Sequence, residues 1–295
     1  MKKVTNQILA FLLLVVLAGC SPSDEGGGGG GSTAKSYSLA EGGTVRNMTA
    51  GDYAKMTGTN EVQQGSSRAS YAVILEQSLA NGGYTQYSSN QLILSSITIK
   101  ETNNSTGTLI QNTSTDYYVK SGGVDYKVME QGKDDLFYAV NQLNGVPSEM
   151  QKIVNDGSYS QTYTLDACSS YSFFTCVSPT TIASVTATYT LLGTETVSTS
   201  IGNFESYKIR TTINQTSNNT NVFSNFNGSS ISWYHPALAT VKETATISST
   251  DYSPAIVQEI EVTLSATNIS KYSRNQSGLG LWSPLSIFKM MKPIQ

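Results

Sequence analysis

The chain has 295 residues, a formal net charge of −3, and 38% apolar and 9% aromatic residues. That is enough apolar material for a packed core and excludes wholesale disorder. Charged residues make up only 13% of the chain, about half the usual share, and with no basic excess to hold a phosphate backbone the composition argues against a nucleic-acid partner. One histidine and three cysteines leave little for a zinc site or a histidine-based triad.

The N-terminus reads as an address. Met1-Lys2-Lys3 is a short basic start, Ile8 to Leu17 is apolar apart from one alanine, and Leu17-Ala18-Gly19-Cys20 closes the run. A basic stretch, a short apolar stretch and small exit residues describe a secretory signal, too short for an ordinary spanning helix. The four residues ending in Cys20 resemble the lipobox of bacterial lipoproteins. That resemblance implies a signal peptide over 1–19, a diacylglycerol on the Cys20 thiol, and attachment to the membrane by two or three acyl chains; one chain alone binds only marginally. Ser21 in place of Asp after the cysteine is the pattern that, in many Gram-negative lipoproteins, favours the outer membrane.

Residues 20–36 then form a tether: Ser21-Pro22-Ser23-Asp24-Glu25, the run Gly26 to Gly31, and Ser32-Thr33-Ala34-Lys35. No apolar side chain there has anything to bury. About sixteen Gly-rich residues span roughly 20–24 Å, so a folded domain starting at Tyr37 can turn while staying near the bilayer.

From 37 to 295 the pattern has a period of two. Tyr71, Val73, Leu75 and Leu79 fall on one face, Glu76 and Ser78 on the other. Ile93, Ile97 and Ile99; Val185, Ala187, Tyr189 and Leu191; Tyr207, Ile209 and Ile213; and Ile256, Ile260, Val262 and Leu264 repeat the alternation. Half-buried strands produce this pattern. Turns are expected at Asn81-Gly82-Gly83, Asn103 to Gly107, Ser121-Gly122-Gly123, Asn218-Asn219 and Asn227-Gly228. The fold class is therefore mainly β: a large curved antiparallel sheet, open or a half-barrel, with one or two short helices. One helix is predicted to open on Pro147 and end near Gly157. Another is predicted over 284–292, with Ser283 as N-cap and Leu285, Phe288 and Met291 as a stripe that either packs into the core or covers the mouth of the sheet.

Cys168 and Cys176 frame a seven-residue loop and are the cysteines left once Cys20 carries lipid. In an oxidising compartment they are expected to form a disulfide, worth about 2.5 kcal/mol in the chain-entropy account.

Three further segments carry a resemblance. Thr49-Ala50-Gly51-Asp52-Tyr53 is similar to an opening strand of exported bacterial lipoproteins. Ile201-Gly202-Asn203-Phe204-Glu205-Ser206-Tyr207-Lys208-Ile209 resembles one of their hairpins. Ser232-Trp233-Tyr234-His235-Pro236-Ala237-Leu238-Ala239-Thr240-Val241-Lys242 resembles their Trp-Tyr-x-Pro strand pair, with Leu238-Ala239 where the family has glycine. This likeness to LolA/LolB/LppX-like proteins implies a half-barrel whose concave face binds lipid or acyl groups.

Catalytic motifs are missing from the sequence: no GxSxG elbow, no GxGxxG opening a helix, and carboxylates that fit neither an EF-hand nor a paired-acid site. Ser286 to Lys289 matches SxxK by chance, without companion motifs. The lone His235 beside Trp233 and Tyr234 reads as a packing residue. The expectation is a non-enzymatic, lipid-anchored envelope protein without cofactor or metal. Its concave face, including Val73, Leu75, Tyr189, Ile209, Trp233, Ile260 and Val262, either packs a core or accepts a hydrophobic ligand. The alternative is a surface-exposed adhesion module that meets an envelope or external protein partner and holds no small molecule.

Overall fold

The computed structural model describes residues 36–39, 50–84, 91–121, 124–131, 137–141, 153–167, 170–172, 175–218, 225–236 and 238–268. The chain divides into two units, Met1–Thr33 and Ala34–Gln295, and everything described belongs to the second. The signal sequence, Cys20, Cys168, residues 147–152 of the first predicted helix and the predicted tail helix 284–292 lie outside the described residues.

The second unit is mainly β. After the short β1 (Ser36–Tyr37) come β2 (Tyr53–Gln64), β3 (Ser67–Tyr84), β4 (Gln91–Asn103), β5 (Leu109–Ser121), β6 (Val124–Gln131), β7 (Phe137–Asn141) and β8 (Ser158–Ala167). A small ribbon, β9 (Ser170–Ser172) with β10 (Thr175–Val177), stands apart. The series ends with β11 (Thr180–Thr199), β12 (Gly202–Ser217), β13 (Phe226–His235), β14 (Ala239–Ser249) and β15 (Ile256–Thr267). Thirteen of these pair in the order β1-β12-β11-β8-β7-β6-β5-β4-β3-β2-β15-β14-β13. All pairs in this sheet are antiparallel except β1 with β12. Strand β12 has neighbours on both edges, β11 and β13, so the order of pairing meets itself there.

Curvature has identifiable causes. Register shifts interrupt six of the pairings, among them Leu191/Gly193 in β11 and Leu264/Ala266 in β15, and each bulge bends its strand and adds twist. Gly58 in the middle of β2 lies directly between Val262 and Val73. A Cβ there would overlap the Glu261 carbonyl and stand 2.8 Å from Val262 Cα. Only glycine lets the β15 backbone press so close. The sheet curls far enough that β11 comes against β14 and β15, with which it does not pair. The side chains of the inner face meet in one apolar cluster.

Two segments expected to be turns are strand instead. Asn81-Gly82-Gly83 lies inside β3 and produces a register shift against β4. Asn227-Gly228 lies inside β13, with Gly228 between Ile213 and Ile247. Gly228 is held extended by partners on both sides and the Asn81–Gly83 segment by β4 on one side, and tertiary pairing overrides the local turn preference. The Asn103–Gly107 turn forms as expected. Asn103 Oδ1 accepts the N–H groups of Ser105 and Thr106 at 2.9 and 3.0 Å, and Gly107, at φ +69°, donates to Asn103 C=O. Residues 153–156 make one helical turn, ended by Gly157 at φ +77°, whose N–H reaches Ile153 C=O at 3.0 Å. This is the left-handed cap the sequence places there.

Candidate functional site

The inner face is built in rows, because residues directly opposed across a pleated sheet point to the same side. One row runs Ile209, Ser232, Glu243, Val262, Gly58, Val73 and Glu101; the next runs Tyr189, Thr211, Ser230, Ala245, Ile260 and Asn60. Val73, Leu75, Tyr189, Ile209, Ile260 and Val262, all expected on this face, lie on it and are buried.

Trp233 does not belong with them. It is flanked by Ser232 and Tyr234, which point inward, and is opposed by Lys208 and Lys242, so it lies on the other face. The two lysines cover its ring, their ammonium groups 5.1 and 5.3 Å from the ring centroid, and Trp233 is at the same time part of the buried apolar cluster. Lys208 is also held by Glu195 and Lys242 by Glu261, each at 2.7 Å. The Lys208 hydrogen bond is the main reason the Glu195 carboxyl falls below its ordinary range. Amphipathic lysine stems covering the ring add to its core packing and leave the tryptophan only 8% exposed.

Inside, the apolar wall is interrupted by a polar patch. Thr211 opposes Ser230, Ser232 opposes Glu243, and Ser230 is diagonal to Glu243. All four are buried; Glu243 is 3% exposed. Burial pushes the Glu243 carboxyl up from 4.5 to about 8, with the Ser230 and Ser232 hydroxyls pulling the other way. The hydroxyls lie near enough to act on the carboxyl, yet Glu243 Oε1, Ser230 Oγ, Ser232 Oγ and Thr211 Oγ1 complete no hydrogen bond. At neutral pH the patch is therefore an uncharged set of O–H groups inside an apolar wall.

Two further polar contacts are buried on β2, β3 and β4. Asn60 Nδ2 donates to Glu101 Oε1 at 2.8 Å, reaching across β3, and Gln77 Nε2 donates to Ser95 Oγ at 2.6 Å. A side-chain bond that bridges an intervening strand is geometric evidence of a strongly concave surface. His235, at the end of β13, is fully buried and meets Phe204 edge-on, ring centroids 5.8 Å apart. Leu238 N–H closes the following turn on His235 C=O at 3.0 Å. Among the described residues no three of His, Cys, Asp and Glu gather as metal ligands.

Sequence reasoning missed the polar patch. A signal was present: Glu243 stands two positions before Ala245 and four before Ile247, in their phase. Along β13 the more hydrophobic phase, Ile231 and Trp233, alternates with Ser230 and Ser232 and packs with the apolar cluster, and it drew the reading away from the two serines.

No family model matches the chain, and no curated protein matches it. Two solved structures do. One, described as a "putative exported protein with YmcC-like fold" from Bacteroides fragilis, is 13% identical with a TM-score of 0.36; the match covers 77% of this chain and 99% of that one. The other, a "putative lipoprotein" from Parabacteroides distasonis, is 14% identical with a TM-score of 0.30, again over 77% and 99%.

Proposed function

We propose that this chain is a lipid-anchored protein of the bacterial envelope, held at the outer membrane through Cys20, that binds a hydrophobic or acyl-type ligand on its inner face without catalysing a reaction. The carrying observation is the apolar wall of Val73, Leu75, Ile97, Ile99, Ile260, Val262 and Leu264 on one side of a concave sheet. Burial of an acyl chain against such a wall is worth about 0.8 kcal/mol per methylene, so a chain of ordinary lipid length has ample driving force. Native mass spectrometry of protein gently extracted from the membrane is expected to show adducts of lipid mass; bare protein throughout removes the carrier reading. Anchoring is tested separately. Labelled palmitate is expected to enter the wild type and not Cys20→Ser, and equal labelling of both refutes the anchor.

A second reading has its own support. The outer face carries exposed hydroxyl pairs: Thr98 with Thr113, Ser160 with Thr188, and Thr162 with Thr186, at 3.0–3.1 Å. Such uncharged, hydrogen-bonding ladders suit an adhesion surface. Protease shaving of intact cells releases peptides of this chain under that reading and leaves it intact if the domain faces the periplasm.

A further inference from the structure

Thr211, Ser230, Ser232 and Glu243 stand together on a face that elsewhere carries mostly Val, Ile and Leu with separate buried polar residues such as Asn60, Glu101 and Gln258. Leaving a buried donor or acceptor unpaired costs about 1–3 kcal/mol, and four such atoms converge here on three adjacent strands. Nothing in the pairing of β12, β13 and β14 requires them, since the ladder bonds are made by the backbone. A cluster of unmet hydrogen bonds inside a sheet calls for a binding explanation.

The chemistry of the patch narrows the guest. It offers three hydroxyls and one carboxyl that burial keeps protonated, so a guest carbonyl oxygen meets four O–H donors and no charge. The groups facing Glu243 supply no positive charge. Inward from β13 come Ser230, Ser232 and Tyr234; from β15, Gln258, Ile260, Val262 and Leu264; from β12, Ile209 and Thr211. Further round the face are Tyr189 on β11 and Glu101 on β4. Among the described residues no lysine or arginine is buried on this face. A phosphate or carboxylate would enter without a counter-charge, at high desolvation cost, and an ammonium would have to ionise Glu243.

We propose that this patch is the head-group subsite of the inner face and receives an uncharged ester or amide carbonyl, its attached chain running along Ile260, Val262 and Val73. This rests on the acyl-ligand reading above and is tested apart from it. The wild type, Ser230→Ala/Ser232→Ala and Thr211→Val are titrated at pH 7, where Glu243 keeps its proton, with 1-monooleoylglycerol and with oleate held below its aggregation concentration, and unfolding is followed on the unliganded proteins. In the absence of ligand the hydroxyls being removed are unpaired, so the variants are expected to melt at or above the wild type. Binding of the ester is expected to weaken about tenfold in the double variant, the loss of roughly one good hydrogen bond, and oleate at the same pH to bind at least tenfold more weakly than the ester. Opposite signs on stability and affinity are something a purely structural role would not produce. Equal ester binding by all variants overturns the subsite and leaves the apolar wall as the ligand site. A lower melting temperature in the variants, with ester binding unchanged, means that water alone satisfies the hydroxyls and also overturns it. Failure of both probes to bind the wild type refutes the acyl-ligand reading itself.

Discussion

Replacing Glu243 with Gln is expected to leave the melting temperature near the wild type at pH 5 and to raise it by roughly 10–15 °C at pH 9. A carboxyl whose pKa is about 8 when folded and 4.5 when free holds its proton in the native state while the unfolded chain has lost it. Stability contributed by the neutral form is complete below about pH 4.5, declines as pH rises through the interval to 8, and levels off beyond. At about 1.36 kcal/mol per unit the whole interval amounts to roughly 4–5 kcal/mol. Gln has nearly the same shape, never ionises, and so escapes the decline. Glu76 and Glu195, lowered by Lys100 and Lys208 respectively, act in the opposite direction at acid pH, and both proteins share them. The difference between the two unfolding curves, measured by far-ultraviolet circular dichroism from pH 4 to 9, isolates Glu243. Parallel curves over that range would show that the side chain reaches water or a counter-ion and is not held neutral.

Gly58→Ala is the second large effect: a loss of about 3–5 kcal/mol, with the melting temperature down by on the order of 10 °C. The added methyl would meet backbone, Glu261 C=O and Val262 Cα, at a distance no Cβ adopts, and backbone held in paired strands cannot swing aside as a side-chain tip can. The comparison variant is Gly107→Ala, in the β4–β5 turn, where nothing lies within 4 Å and only the positive φ of +69° is penalised, at about 1–2 kcal/mol. Denaturant titration of the two variants against the wild type decides the matter. If the Gly58 variant loses no more than the Gly107 variant, the β2–β15 approach is looser than described.

The strands were legible because alternation is a direct consequence of a sheet with one buried face: the phases read for Val73 and Leu75, for Val185 to Tyr189 and for Ile256 to Leu264 are those the fold uses. Where the reading failed, long-range pairing had replaced local preference. Asn227-Gly228 has every mark of a hairpin turn until β12 and β14 are placed on either side of it. Trp233 packs with the core as its size suggests, but in the phase opposite to Ser232, where lysine stems from strands the sequence cannot align cover its ring. Glu243 was hidden for the converse reason. A carboxylate is read as wet by default, and only the row that sets it between Ser232 and Val262 reveals a buried acid.

Strand β2 is among the first made and β15 among the last, yet Ser265 Oγ bonds Lys55 C=O across 210 positions of chain, and the two strands pair along their whole length. Until β15 has emerged, one margin of β2 presents its amides and carbonyls with no mate, an invitation to the wrong neighbour. Assembly of this domain is therefore a late event in the life of the nascent chain, governed by how long its early portion can be kept from premature company.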